Sequence, residues 1–449
     1  MSMKIIIAGA GDVGFHLAKL LSNESKDIYI IDQSADKLEY VNTHLDVITK
    51  GGDASSIAVL KGLNIESTDM LLAVTESQNT NLTICSIAKQ LGVKKTIARI
   101  SNTEYLKTSA IDFTDLGVDF MISPELLAAQ EIQSLIKNSA FNDTIAFENG
   151  ALNVLGCTLH EKSPLVGLNV EAAKKKYNKV DFIIMAIKRE EETDTIIPRG
   201  DTLFKANDQL YFCAPRASVG PIENLIGRSQ IGIKDIMILG GSRIGQKAAQ
   251  ALCQEKRNVK LIENKRDKAF DLAEDLCDTL VIHGDGRNVN LLEGEDISRM
   301  DAFVAVTGNS ETNIMSCLVA KSKGVKKTIA LVENMDYIDI SQTIGIDTLI
   351  NKKLLAAGAI FKHIRKGKVV ALANLHNIDA EVLEFDVQES SAVTKMQIKD
   401  LKLTRKAIFG GVIRNGKAMM TYGASQIEAG DKVLMFCLPE AISEVEKLF

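Results

Sequence analysis

The sequence contains 449 residues, which at about 150 residues per domain corresponds to about three domains. Hydrophobic residues make up 46% of it and charged residues 25%, a composition typical of folded globular proteins that argues against a disordered chain. The net charge of -5, the 5% aromatic content and the absence of Trp argue against nucleic-acid binding, which usually requires positive charge or stacking aromatic residues.

Cysteine usage and hydropathy exclude further classes of protein. The seven cysteines are widely spaced without a CxxC pair, which favours a reducing compartment over a disulfide framework or a zinc site. The apolar run at the amino terminus is too short for a signal peptide. No stretch approaches the roughly 20 apolar residues of a membrane-spanning helix, so we expect any role at a membrane to depend on a partner.

Short apolar runs alternate with helical patterns through the first 140 or so residues. Leucines and small residues recur at helical spacing between the runs, as at Val13, Leu17, Leu20 and Leu21. This alternation predicts an α/β fold with a doubly wound, Rossmann-like parallel sheet. The runs that we expect to form its strands are Ile5–Ala8, Ile28–Ile31, Val47–Ile48, Met70–Val74, Ile97–Ile100 and Phe120–Ile122.

The next stretch, about 142–226, has a different character. It contains strand-like segments at 182–188 and 209–213, separated by turn-like polar residues. We therefore predict a small α+β lobe here.

The chain then repeats itself. TNLTICSIAKQLGVKKTIA at 80–98 returns as TNIMSCLVAKSKGVKKTIA at 312–330, and LLAA at 126–129 returns at 354–357. A unit of roughly 220 residues is thus present twice, which predicts two tandem pairs of lobes. The predicted domains are two Rossmann-like lobes and two small lobes, at 1–140, 141–228, 229–370 and 371–449.

The turn Gly9-Ala10-Gly11-Asp12-Val13-Gly14 has the GxGxxG spacing, follows an apolar strand and opens an amphipathic helix. Such glycines permit a tight turn and close approach of a pyrophosphate to the helix N-terminus. Asp32 ends the second strand, where a carboxylate accepts hydrogen bonds from ribose hydroxyls and repels a 2′-phosphate. The pattern favours NAD(H) or an adenine nucleotide over NADP(H); the alternative is a tight turn that binds nothing.

Further polar residues follow the other strands, at the sheet edge where this fold binds ligands. Asp53 follows the third strand, Thr75 and Glu76 follow the fourth, and Arg99 ends the fifth, where it could pair with phosphate. The alternatives are a surface salt bridge for Arg99 and loop capping for Asp53 and Thr75. Asn81 is interpreted as a helix-start residue rather than a ligand.

The second copy preserves only part of this pattern. Ser242 replaces the central glycine and would crowd a pyrophosphate, and Leu331 replaces Arg99, although Arg243 at the loop tip could substitute for it. Weaker or different nucleotide binding is predicted here, with a purely structural role as the alternative. The candidate residues of this copy are Gly240, Gly241, Ser242, Arg243, Ile244, Glu263, Asp285 and Thr307.

Two functions compete at this point: an NAD-dependent oxidoreductase and a non-catalytic nucleotide sensor. A dehydrogenase needs an acid or base near the nicotinamide, yet the sequence has no YxxxK, and His160 and His376 lack a matching carboxylate pattern. Walker A, GxSxG and HExxH motifs are also absent, and no metal site is predicted. These observations favour the sensor, with no catalytic residues.

The sequence resembles the TrkA family, the peripheral regulatory subunits of bacterial Trk potassium-uptake systems. The resemblance covers nearly the whole chain and is carried by KIIIAGAGDVG, the two AVT segments, TNIMSCLVAKSKGVKK and IEAGDKVLMF. It implies two tandem RCK units, each a Rossmann-type N-lobe with a small C-lobe, that bind NAD(H) and ATP or ADP in the N-lobes. The nucleotide residues it implies are Gly9 to Val13, Asp32, Thr75, Glu76 and Arg99, with Gly240 to Ile244, Glu263 and Thr307 in the second copy.

The resemblance also implies partners and a location. Such subunits form a homo-oligomeric cytoplasmic ring, which we expect to contain about four chains. The ring lies at the inner face of the cell membrane through its partner, a potassium-translocating membrane subunit that it gates.

Overall fold

The computed structural model describes residues 3–22, 27–107, 110–189, 192, 194–227, 232–334, 337, 345–364, 369–374, 380–401 and 403–449. These residues form two compact units. One unit consists of Met1–Gln130 and Asn351–Ile364, and the other of Glu131–Ile350 and Arg365–Phe449.

The first unit is built on a parallel sheet whose described strands have the order β3-β2-β1-β4-β5-β6. The strands are β1 (Lys4–Ala8), β2 (Asp27–Asp32), β3 (Ile48–Gly51), β4 (Met70–Ala73), β5 (Lys95–Arg99) and β6 (Phe120–Ile122). The order reverses beside β1, so the carboxyl ends of β1 and β4 flank a crevice of the kind that binds ligands in this fold.

Helices connect these strands. Their apolar residues recur on one face, which packs against the sheet. They are α1 (Asp12–Ser22), α2 (Ala35–His44), α3 (Ile57–Lys61), α4 (Gln78–Gln90), α5 (Glu104–Lys107) and α6 (Pro124–Lys137), whose last seven residues belong to the second unit. The core consists of the buried strand residues together with the inward faces of the helices, such as Leu17, Leu21 and Ile84.

A helix from much later in the chain completes the first unit. Helix α13 (Lys352–Ile364) packs against α1 and lies beside β6. Asn351 caps it, because its Oδ1 accepts hydrogen bonds from the amides of Lys353 and Leu354 at 2.9 and 3.2 Å.

The second unit contains the second parallel sheet, with strand order β13-β12-β11-β14-β15-β16 among the described residues. Its strands are β11 (Asp235–Leu239), β12 (Asn258–Glu263), β13 (Thr279–His283), β14 (Ala302–Ala305), β15 (Lys327–Leu331) and β16 (Thr348–Ile350). The helices between them are α9 (Arg243–Gln254), α10 (Arg266–Asp275), α11 (Val289–Gly294) and α12 (Ser310–Ser322). The repeat in the sequence is therefore a repeat of topology.

Two antiparallel sheets complete the second unit, with orders β7-β8-β10-β9 and β17-β18-β21-β19-β20. Buried side chains of both sheets, including Val154 and Tyr211 from one and Val382 and Phe436 from the other, form one shared hydrophobic core. The elements of the first sheet region are β7 (Asp143–Phe147), β8 (Leu152–Thr158), α7 (Val170–Lys176), β9 (Ile183–Lys188), β10 (Gln209–Pro215) and α8 (Val219–Leu225). Those of the second are β17 (Val369–Asn374), β18 (Glu381–Asp386), β19 (Ala407–Arg414), β20 (Lys417–Met420), β21 (Lys432–Cys437) and α14 (Ile442–Glu446).

Candidate functional site

The turn between β1 and α1 uses its three glycines in different ways. Gly9 has a φ of +112°, and a Cβ there would lie 3.0 Å from the Thr75 amide nitrogen. A Cβ on Gly14 would lie 1.8 Å from the Gly9 carbonyl oxygen, so the fold itself requires both glycines. At Gly11, by contrast, no heavy atom of the described residues beyond its chain neighbours lies within 4 Å of the added Cβ.

The open space at Gly11 therefore lies at the N-terminus of α1, where amide groups and the helix dipole favour an anion. Ala10 is buried and Val13 points into the core, so both fix the backbone of the turn rather than face its open side. Asp12 begins the helix and is exposed. The turn thus has the shape that a pyrophosphate requires, and its residues fit a dinucleotide.

Asp32 supports this turn from the end of β2. Its Oδ2 accepts a hydrogen bond from the Ala10 amide at 2.7 Å and its Oδ1 accepts one from the Ser34 amide at 2.9 Å. Each carboxylate oxygen retains a second lone pair. The half-buried carboxylate can therefore hold the turn in place and still accept a hydrogen bond from a ribose hydroxyl.

A buried amide joins the ends of β4 and β5 beside the turn. The Asn81 Oδ1 accepts hydrogen bonds from the Thr75 amide at 2.9 Å and from its hydroxyl at 2.6 Å, and Nδ2 donates to the Thr75 and Arg99 carbonyls at 3.1 and 2.8 Å. Ser77, not Asn81, caps helix α4. Sequence reasoning missed this role, although the recurrence of the TN pair at 312–313 was a signal for it.

The other predicted residues of the first copy lie at the same sheet edge and already have protein partners. The Arg99 guanidinium lies 3.3 Å from Glu125, and Glu76, 92% exposed, lies 3.7 Å from Lys37. Asp53 accepts hydrogen bonds from the amide and hydroxyl of Ser55, which lower the pKa of its carboxyl.

In the second unit, the corresponding edge forms a cavity of about 390 Å³. The predicted residues that line it are Gly240, Ser242, Glu263, Asp285 and Thr307. The others lie in the same turn, where Gly241 and Ile244 are buried and Arg243 is exposed. Lysines 265 and 268 and Arg287 bring positive charge to the cavity wall.

Ser242 modifies the phosphate-binding turn of this cavity. Its hydroxyl accepts a hydrogen bond from the Gly245 amide at 3.3 Å, which caps α9, and donates one to the Val306 carbonyl at 2.8 Å. The Gly245 amide lies at a helix N-terminus, where free amides bind phosphate, but here it already donates its hydrogen bond to Ser242.

Glu263, the counterpart of Asp32, is almost fully buried and ion-paired. Its carboxylate lies 2.9 Å from the Lys268 ammonium and accepts hydrogen bonds from the amides of Gly241 and Lys265. Burial alone would raise the pKa of Glu263, but these hydrogen bonds and the Lys268 charge hold it below its usual value. The carboxylate is therefore more strongly engaged by protein groups than Asp32 is.

The remaining contacts at the ligand-binding edge of the second parallel sheet partly repeat those of the first sheet. Asn313 binds the Thr307 amide and hydroxyl at 2.9 and 2.7 Å and donates to the Leu331 carbonyl at 2.8 Å, as Asn81 does in its own sheet. Asp285 pairs with Arg287 at 2.8 Å, and hydrogen bonds from Arg287 lower the pKa of its carboxyl.

In the part of the chain that the structure describes, no three His, Cys, Asp or Glu side chains are grouped as a metal site would require. No helix built from these residues is long and apolar enough to cross a bilayer. His160 accepts a hydrogen bond from the Lys162 amide at 3.1 Å, and His376 lies outside the described residues.

These features define a class: a protein with two tandem Rossmann-like sheets of the dinucleotide-binding type, each followed by a small antiparallel sheet. Comparison with known proteins is consistent with that class and narrows it. The TrkA-N domain model matches residues 5–124 and 236–352, and the TrkA-C domain model matches 155–227 and 382–449. A Trk system potassium uptake protein TrkA from Halomonas elongata is 33% identical over 453 residues, covering 100% of this chain and 98% of the relative.

Solved structures agree on the fold. The GsuK RCK domain superposes with a TM-score of 0.63 at 15% identity, covering 100% of this chain and 95% of that chain. The GsuK channel bound to NAD superposes with a TM-score of 0.62 at 15% identity, covering 100% and 79%. The chain belongs to the TrkA family. The predicted family and the predicted tandem Rossmann-like fold are both confirmed.

Proposed function

We propose that this protein is a nucleotide-sensing regulatory subunit of a Trk-type potassium uptake system that gates a potassium-translocating membrane protein. Similarity to the TrkA family over the whole chain supports a role in a Trk-type system. Two parallel sheets in one chain, each with a ligand-binding edge of the kind that binds nucleotides, support a sensor. The four lobes at 1–140, 141–228, 229–370 and 371–449 are part of this proposal.

NAD(H) is the ligand that we assign to the first lobe. The observation that carries the assignment is the open space at Gly11, which the protein leaves unfilled although neither backbone conformation nor packing requires glycine there. Asp32 would accept hydrogen bonds from the adenosine ribose and would repel a 2′-phosphate, so NADP(H) is disfavoured. Arg99 could reach phosphate only by leaving Glu125 or by sharing its guanidinium with it.

The second lobe takes a nucleotide more weakly in this proposal. Ser242 already satisfies one amide of the turn, and Lys268 already neutralises Glu263. In the cavity wall the cations Lys265, Lys268 and Arg287 outnumber the carboxylates of Glu263 and Asp285. This positive excess favours phosphate-rich ligands such as ATP or ADP over a dinucleotide that is bound mainly through its ribose.

Gating requires differential affinity rather than catalysis. A ligand shifts an equilibrium between two conformations only as far as it binds one of them more tightly. In the proposed assembly, a ring of about four chains lies at the cytoplasmic face of the membrane, and lobes that change their mutual contacts act on the membrane subunit.

Calorimetric titration of the purified full chain with NADH, NAD, NADPH and ATP tests the ligand assignment. We expect NADH to bind at least about tenfold more tightly than NADPH, and Asp32→Asn to reduce that preference because it removes the repelling charge. Equal affinity for NADH and NADPH in the unmodified protein would contradict the role of Asp32.

A sensor should also leave NADH chemically unchanged. We expect no steady oxidation of NADH with small carbonyl compounds, measured by NADH absorbance against controls that lack the protein. Oxidation that is lost in the Asp32→Asn variant would instead indicate the oxidoreductase.

A further inference from the structure

An ion pair joins the phosphate-binding turn of the first lobe to helix α13. The Lys353 ammonium lies 2.9 Å from the Asp12 carboxylate, and the lysine side chain is 15% exposed whereas the aspartate side chain is 69% exposed. Because the lysine side chain is mostly buried, a counter-charge beside its ammonium offsets part of the cost of desolvation. Asp12, which directly follows Gly11 in the chain, supplies this counter-charge.

His16 lies close enough to Lys353 for the two groups to interact electrostatically. It lies one turn further along α1, and its buried Nε2 finds no hydrogen-bond partner among the described residues. Burial, and then the positive charges of Lys19 and Lys353, lower the pKa of His16 to about 4. The imidazole is therefore neutral near pH 7 and adds no second positive charge beside Lys353.

The position of Asp12 is unfavourable for a nucleotide site taken alone. A diphosphate bound at Gly11 would bring negative charge beside a carboxylate at the same helix N-terminus, and like charges at such distances repel. With Lys353 in place the pair is neutral, and the helix dipole and free amides can favour the phosphates.

The two copies of the repeat carry opposite charges at the positions of Asp12 and Lys353. When KIIIAGAGDVG is aligned with DIMILGGSRIG, Asp12 corresponds to Arg243; in the LLAA alignment, Lys353 corresponds to Glu125. Both positions thus change sign together. Within each copy the two positions carry like charges, and Asp12 and Lys353 are opposite in charge because the ion pair joins one position of each copy.

We propose that Lys353 is a positioning residue of the first nucleotide site, which by neutralising Asp12 makes binding of a diphosphate at Gly11 and docking of helix α13 mutually favourable. The inference rests on the proposed NAD(H) site. Helix α13 directly follows strand β16 in the chain, so the helix whose docking is coupled to the first site comes from the second half of the sequence. The linkage is reciprocal, since each event changes the equilibrium constant of the other by the same factor.

A double-mutant cycle on the full chain tests this proposal by calorimetric titration with NADH. We expect Lys353→Met to weaken NADH binding about tenfold, within the usual range of coupling between sites, because it leaves Asp12 uncompensated. In the Asp12→Asn background no carboxylate needs compensation, so adding Lys353→Met should change the affinity by less than about threefold relative to Asp12→Asn alone. Lys19→Met removes a charge from an exposed position of α1 and serves as the matched control, with affinity unchanged.

Rescue separates this role from a merely structural one. A Lys353→Met variant that stays weak in the Asp12→Asn background, or that binds as tightly as the original protein, would overturn the proposal. Lys353→Arg, which keeps the charge, should retain affinity, and circular dichroism of each variant identifies any that fails to fold.

Hydrogen exchange measures the reciprocal effect on α13. NADH should slow amide exchange across residues 352–360 in the original protein and lose most of that effect in Lys353→Met. Failure of the original protein to bind NADH would refute the proposed site and the coupling together, whereas binding without the Lys353 effects would refute the coupling alone.

Discussion

Replacement of Gly11 by valine should separate ligand binding from folding. A Cβ at Gly11 meets no heavy atom of the described residues within 4 Å beyond its chain neighbours, and its φ lies outside the left-handed region. We therefore expect the free energy of unfolding to change by less than about 1 kcal/mol, because the added Cβ enters open space and the substitution reduces the entropy of the unfolded chain.

NADH binding should respond very differently to the same change. The valine side chain would occupy the space that a pyrophosphate must approach. We expect the affinity of the first lobe to fall by at least about a hundredfold, which corresponds to about 2.7 kcal/mol.

Gly14→Ala provides the matched control, because it alters the same turn on the side that packs against the protein backbone. Its Cβ would lie 1.8 Å from the Gly9 carbonyl oxygen, a distance that forces the helix away from the strand. The free energy of unfolding should fall by about 3 kcal/mol or more.

Urea denaturation followed by circular dichroism gives the stabilities, and titration calorimetry with NADH gives the affinities. The reasoning would be refuted by a Gly11→Val protein that binds NADH with unchanged affinity, or by one that loses stability as Gly14→Ala does.

Three further predictions concern the amide bridges, the buried imidazole and the second turn. Asn81→Ala, and equally Asn313→Ala, should lower the free energy of unfolding by about 3 kcal/mol in urea, because buried backbone groups lose their partners; a change below about 1 kcal/mol would contradict the bridging role. His16 has a folded-state pKa of about 4, below its unfolded value of about 6.5, so the unfolded chain binds more protons between these values and stability is lost as pH falls through this window. We expect a loss of about 1–2 kcal/mol between about pH 7 and pH 5 that is absent in His16→Gln; identical pH profiles would refute it. Ser242→Gly should cost only a few tenths of a kcal/mol as a cap change but should strengthen nucleotide binding by the second lobe, since the Gly245 amide becomes free for phosphate; weaker binding by calorimetry would contradict this.

Much of the fold follows directly from the pattern of apolar residues. Runs such as Ile5–Ala8 and Met70–Val74 coincide closely with strands of the structure because central parallel strands are buried on both faces. The third strand was placed less well: the apolar pair Val47–Ile48 marks only its start, and the strand is Ile48–Gly51. This edge strand is largely exposed, so its hydropathy carries little information.

The candidate site was predictable in outline because GxGxxG and an acidic strand end impose local geometry. Its tertiary contacts were not predictable. Nothing local to Lys353 indicates that its helix packs on α1, and nothing local to Glu263 indicates that its carboxylate is held by Lys268. Asn81 lies within a helix, and its bridging role depends on two strand ends that only folding brings together.

Potassium flux is the most direct test of the proposed function. Vesicles that contain the Trk-type membrane subunit should be assayed for potassium uptake with and without this protein, while NADH and ATP are varied, and Gly11→Val serves as the binding-deficient control. The account predicts that the protein changes the flux, that NADH modulates this change, and that the modulation by NADH is lost in Gly11→Val. A flux that responds neither to the protein nor to nucleotide, despite measured NADH binding, would contradict the gating function.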